Sequence, residues 1–280
     1  LVDAFRQNST FVTCNITSRK QITSQMENIR PDAIFHLAAH VEPVLQQGND
    51  AKVTFENMKG LVYILEACEK IKIYPHIINA GSSLMFGVVE NGIADEKTPC
   101  SPITPYGIGK LAAHQFADIY RTNKNHRVST AILFNHESLL RDERWLPTKI
   151  IAGAVRIKYG KSEHLKLGQI NIGRDWSAAE DIVDGIFKIF EKEAVNEDFV
   201  LGSGQVNGVS DLLEMVFTSL GLDWQSYVLT DKNLERSNDV GAIKADISKA
   251  QRMLGWSPKK STPEWMETML NYHKNIQGLE

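Results

Sequence analysis

The chain has 280 residues, 42% hydrophobic and 8% aromatic, enough apolar material for one large core or two small ones. A formal charge of -3 with 23% charged residues excludes both a basic nucleic-acid footprint and an acidic solvating tail. The apolar runs at 33–39, 131–134 and 150–155 fall far short of the ~20 residues a membrane helix needs, so no membrane partner is expected.

The chain opens Leu1-Val2-Asp3 without an initiator Met and reads as a helix tail running into a strand over 10–14. Roughly 50 residues of a βαβ start are expected ahead of it. Short β-branched or apolar runs at 10–14, 33–37, 76–79 and 130–134 then alternate with helical patterns at 18–29, 50–70 and 106–123. Val53, Met58, Leu61, Ile64 and Leu65 give the second helix its apolar face, and Leu111, Phe116 and Ile119 do so for the third. Strands and helices in this rhythm predict a parallel sheet with right-handed crossovers, an α/β, Rossmann-like doubly wound fold whose first βαβ elements are expected ahead of residue 1.

After about residue 140 the pattern changes to helices at 147–159, 178–191 and 211–220 with brief strands at 165–168 and 199–202. Thr262 is expected to cap a last helix, with Pro263 at its first position. The expected organisation is a doubly wound domain over 1–140, incomplete at its start, and a smaller α/β lid over 141–280 that shares its core. Ligands of such folds bind at the carboxyl ends of the strands. Trp176, Trp256 and Trp265 read as packing residues. Cys14, Cys68 and Cys100 lack metal-ligand spacing, which suits reduced thiols, no metal and a cytoplasmic address.

Chemistry concentrates in Ser82, Tyr106 and Lys110. Tyr106 and Lys110 are four residues apart at the start of a helix and share a face, where an ammonium can lower a phenol pKa and hold a cofactor ribose. A phenol near pKa 10 needs such help to act as a base at neutral pH. Alone, the spacing also occurs on solvated helix faces. Ala80-Gly81-Ser82-Ser83 closes a strand and brings a hydroxyl to the same sheet edge, and Pro102-Ile103-Thr104-Pro105 forms a rigid turn that presents the tyrosine.

Together with Phe35-His36-Leu37-Ala38-Ala39, Asn57, Phe86-Gly87 and Leu254-Gly255-Trp256-Ser257-Pro258, these motifs resemble the extended short-chain dehydrogenase/reductase family. Leu133-Phe134-Asn135-His136-Glu137-Ser138 and Gly173-Arg174-Asp175-Trp176 are similar to GDP-mannose 4,6-dehydratases in particular. The resemblance implies that Ser82 hydrogen-bonds the sugar 4-oxygen, Tyr106 exchanges its proton and Lys110 lowers the tyrosine pKa. It implies cofactor contacts from Asn15, Ile16, Leu37, Ala38, Ala39, His40, His136 and Arg141 as well as from Tyr106 and Lys110. Ser83, Asn135, Lys149, Arg174 and Arg236 match positions that line the nucleotide-sugar pocket. The implied cofactor is NADP or NAD, with NADP favoured, and the implied partner a nucleotide-diphosphate sugar, a GDP-sugar favoured, bound by a homo-oligomer with no role for nucleic acid. No G-x-x-G-x-x-G turn, the usual pyrophosphate cradle, is found.

One departure stands out. Where the dehydratases carry a Glu that removes the C5 proton, this chain has Leu84, and Phe86 replaces the usual Tyr. The expected activity is therefore hydride transfer at C4 of a GDP-hexose or GDP-heptose, with full GDP-mannose 4,6-dehydration, or a catalytically silent nucleotide-sugar-binding homologue, as alternatives.

Overall fold

The computed structural model describes residues 9–40, 49–192, 196–234 and 240–276. A four-stranded parallel sheet runs in the order β1 (Ala33–His36), β2 (His76–Ala80), β4 (Val128–Leu133), β8 (Phe199–Leu201). Register is set by apolar pairs such as Ile34 with Ile77 and Ile132 with Val200. β2 is buried at every residue, as expected of a central parallel strand covered on both faces.

One face carries α1 (Arg19–Ile29), α2 (Asp50–Ile71) and α3 (Pro105–Lys124), joined to the sheet through Ile22, Leu61, Leu65, Ile77, Ala113 and Val128. The other carries α5 (Ala179–Glu191) and α7 (Ser248–Leu254) over Ile78, Phe134, Phe199 and Trp256. The sheet's fourth strand and these two helices thus come from the chain after residue 140. A separate apolar cluster joins α4 (Leu146–Lys158), α6 (Val209–Ser219) and α8 (Thr262–Ile276) around Ile150, Phe217 and Trp265. Trp176, Trp256 and Trp265 are all buried, in the packing role their surroundings suggested.

Short strands fill the second half. β5 (Asn135–Glu137) pairs parallel to β7 (Gly173–Ala178), which pairs antiparallel to β9 (Val206–Gly208). β6 (Leu165–Leu167) pairs with β10 (Val228–Thr230), and β3 (Ile93–Ala94) with β11 (Lys244–Ala245). Two sequence expectations are corrected. Residues 10–14 are irregular rather than a strand: a strand needs a ladder for its N–H and C=O groups, and among the described residues β1 pairs only with β2. The last helix is capped by Ser261, whose N–H and hydroxyl both donate to Glu264 at 2.7 and 2.6 Å, while Thr262 is buried and accepts from Asn207. Among the described residues no helix is long and apolar enough to cross a membrane.

Candidate active site at the carboxyl edge of the sheet

The site is built where β2 ends. Ser82 leaves the strand in extended conformation and caps a single 3-10 turn, Ser83–Met85, by accepting the Leu84 N–H at 3.2 Å. That bond fixes the oxygen and leaves the hydroxyl proton to be donated elsewhere. Gly87 then turns the chain with φ +69, and a Cβ there would lie 1.9 Å from the Ser101 carbonyl oxygen. Only glycine permits this approach, and the Ser101 N–H donates to Phe86 O at 3.1 Å. The strap that leads into α3 is thereby held against the Ser82 turn.

α3 starts as the sequence implies: Thr104 accepts the Gly107 N–H at 3.1 Å and Pro105 occupies the first turn. Gly107 seats the helix end on the turn below it, since a Cβ there would lie 2.5 Å from Leu84 O. Thr54 of α2 ties the same end by donating to Pro105 O at 3.0 Å. These contacts bring Tyr106 to Ser82. Burial pushes the Tyr106 phenol up to about 12, against which a hydrogen bond with Ser82 and the nearby Arg141 charge pull it down.

One turn on, the Lys110 ammonium donates to Ala80 O at 2.7 Å and lies 5.8 Å from the Tyr106 ring centre. Burial lowers its pKa to about 8. Beneath it His36, at the end of β1, is buried and held down to about 4, first by desolvation and then by the Lys110 charge, so it is neutral at physiological pH. His36 carries no predicted role; the signal that could have found it is its place at the last residue of a strand aimed at the same edge.

The predicted cofactor residues distribute as follows. Leu37, Ala38 and Ala39 leave β1 exposed, and His40 is pinned on its backbone by Asn57, which accepts from its N–H at 3.1 Å and donates to its carbonyl at 2.9 Å. His40 Nδ1 also meets Glu56 at 2.5 Å. Asn15 accepts from Thr17 N and Oγ1 in a turn ahead of α1, and Ile16 packs toward that helix layer. His136 on β5 holds Phe134 O at 2.9 Å through Nδ1, and burial lowers its pKa. Arg141 stacks 4.0 Å over the Trp145 ring.

Of the predicted sugar-site residues, Ser83 is half-buried in the turn. Asn135 pairs with Trp176 across β5 and β7. Arg174 donates to Gly173 O and Gly241 O at 2.6 and 3.1 Å. Lys149 on α4 is lowered by burial and faces Asp231. Arg236 lies outside the described residues. Asp175, beside Arg174, is buried and accepts from Ser203, Gly204 and Ala245, tying β7 to the β8–β9 loop and β11. Its sequence motif was visible, but its role as an anchor needed the fold.

The GDP-mannose 4,6 dehydratase family model matches residues 2–269. The chain belongs to that family. It is an enzyme family. GDP-mannose 4,6 dehydratase 1 of Arabidopsis thaliana is 31% identical over 265 residues, covering 92% of this chain and 72% of that protein. Among solved structures, RMD of Pseudomonas aeruginosa complexed with NADPH aligns with a TM-score of 0.86 at 18% identity, covering 98% and 94% of the two chains. UDP-glucose 4-epimerase of Thermotoga maritima with UDP-glucose aligns with a TM-score of 0.84 at 22% identity over 99% and 88%. At these identities the two structures speak to the fold, which is the Rossmann-like one expected.

Proposed function

We propose that the chain oxidises or reduces C4 of a nucleotide-linked sugar, a GDP-hexose or GDP-heptose, and lacks the base for the elimination that would make it a full dehydratase. The observation that carries this is Ser82, Tyr106 and Lys110 together at one sheet edge, with the half-buried Leu84 packed on the apolar cluster where the family's Glu is expected. Ser82 can donate to the 4-oxygen while Tyr106 takes or returns its proton. The Lys110 ammonium, buried and bonded to a carbonyl, favours the phenolate through its charge.

The chain's residues fit a dinucleotide on this side: Leu37, Ala38 and Ala39 expose their surface at the end of β1, Lys110 lies 5.8 Å from the Tyr106 ring centre, and the Arg141 charge bears on both Tyr106 and His136. NAD(P) bound there would supply the hydride acceptor or donor. NADP is favoured by the neighbour solved with NADPH, and GDP by the relatives named GDP-mannose dehydratases. Lys149, Arg174 and Arg236 are assigned to the diphosphate, which needs local positive charge on a slightly acidic chain. A homo-oligomer and a cytoplasmic address complete the reading.

Tyr106→Phe removes only the proton-exchanging hydroxyl, so turnover should fall by a factor of about 10² or more while nucleotide binding stays within a few-fold. The measurements are turnover of candidate sugars with NADP and calorimetric titration of GDP, UDP, CDP and dTDP. Retained turnover in the variant, or no binding of any nucleotide by the parent, contradicts the reading. Turnover itself separates the enzyme from a silent binding homologue.

A further inference from the structure

Two neighbours on β7, Arg174 and Asp175, hold one segment of chain at two points. The segment is 241–245, which turns at Gly241 with φ +75 and ends in β11. Its Lys244 and Asp246 N–H groups donate to Gly92 O and Ala94 O at 2.8 and 2.9 Å, in the ladder with β3. The Ala245 N–H between them therefore points the other way and needs a different acceptor. It finds the Asp175 carboxylate at 3.0 Å. Four residues earlier, Gly241 O accepts from Arg174 Nη1 at 3.1 Å, and the same nitrogen donates to Gly173 O at 2.6 Å. A Cβ on Gly173 would lie 3.7 Å from the Ala242 Cβ, so the segment runs alongside the start of β7.

Asp175 is 1% exposed, and each of its oxygens accepts two bonds. Oδ1 takes the Ser203 N–H and hydroxyl, both at 2.7 Å, while Oδ2 takes the Gly204 N–H at 2.9 Å together with Ala245. These four donors are neutral and three are backbone N–H groups, so the carboxylate orders chain segments. Closing the β8–β9 loop alone would need only Ser203 and Gly204. The bond to Ala245 adds the segment that carries the acceptor of the Arg174 guanidinium. We propose that Asp175 is a positioning residue for the nucleotide sugar: by fixing Ala245 it holds the Gly241 carbonyl that aims Arg174 at the diphosphate. This rests on Arg174 being a diphosphate contact.

The affinity for GDP is measured by calorimetry, well below the melting range, in the parent, Asp175→Asn, Arg174→Met, the double variant and Ser203→Ala. Asparagine keeps the shape of the side chain but turns one acceptor into an NH2 donor, which then faces N–H groups. Asp175→Asn should weaken GDP binding about tenfold, and the double variant should bind no more weakly than Arg174→Met, because the carboxylate acts through the guanidinium. Ser203→Ala removes one of the four bonds and spares the Ala245 contact, so it should lower the melting point while affinity stays within about two-fold. Parent-like affinity in Asp175→Asn, additive losses in the double variant, or an equal loss in Ser203→Ala overturns the proposal. A second readout needs no variant: GDP should slow hydrogen exchange at the Ala245 N–H more than at the Thr130 N–H, which another carboxylate, Asp198, accepts at 2.8 Å. Equal slowing at the two overturns the proposal as well. Parent-like affinity in Arg174→Met instead contradicts the assignment of Arg174 on which the proposal stands.

Discussion

At position 84 a leucine side chain lies half-buried against the cluster of Phe86, Phe134 and Ile243. The charge bearing on the neighbouring phenol is the Arg141 guanidinium rather than a carboxylate. Leu84→Glu should therefore confer loss of water from C6, because a positioned general base is typically worth ~10²–10⁴-fold. No gain in 4-keto-6-deoxy product, read by mass, would contradict the missing-base account. Glu137 yields a second residue-scale prediction. Burial raises its carboxyl to about 7 from 4.5, so its contribution to stability is full below pH 4.5 and lost as pH rises through 7. At about 1.4 kcal/mol per pKa unit the loss is roughly 3 kcal/mol. Glu137→Gln should melt above the parent at pH 8 and level with it at pH 4; a lower melting point at pH 8 contradicts this. His36 works in the opposite sense, its stability present above pH 6.5 and lost as pH falls through 4, so the difference between variant and parent is the diagnostic quantity. Ser82, Tyr106 and Lys110 were legible because spacing and turn residues announce them. Glu137 was legible only as a letter in a motif, since its exposure depends on strands far apart in sequence.

At the scale of elements, the site depends on how closely α3 sits on the turn after β2. Gly107→Ala would place a methyl group 2.5 Å from Leu84 O, a backbone atom that cannot swing away. The helix end must lift, separating Tyr106 from Ser82, and small misplacements of reacting groups are costly. Turnover should fall by about tenfold or more with the cooperative melt retained; parent-like turnover would show that the contact is not what sets the pair. The long helices and the central strands were readable from apolar periodicity, with ends within a residue or two, because each buries one continuous face. β5, β7 and β9 were not, because strands of three to six residues with polar members such as Arg174 and Asp175 carry no usable alternation. Residues 10–14 have the composition of a strand, yet pairing partners rather than composition decide whether a strand forms.

At the scale of the whole molecule, a sheet covered on both faces places β1, β2 and α3 so that their ends meet at one edge, while the second half of the chain supplies both the fourth strand and the separate cluster around Ile150 and Phe217. The fold class was legible from the alternation of strands and helices. The weaving of β8 and α5 back into the first layer was not, because it depends on which strand edge remains open after β4. On the proposed reading, Ser82, Tyr106 and Lys110 exchange a proton and a hydride at C4, and Leu84 stands where the second half-reaction would need a base. The most direct test is to incubate the protein with GDP-mannose and NADP and follow the mass of the sugar product. The account predicts chemistry at C4 without loss of one water at dehydratase rates; rapid formation of the 4-keto-6-deoxy sugar would contradict it.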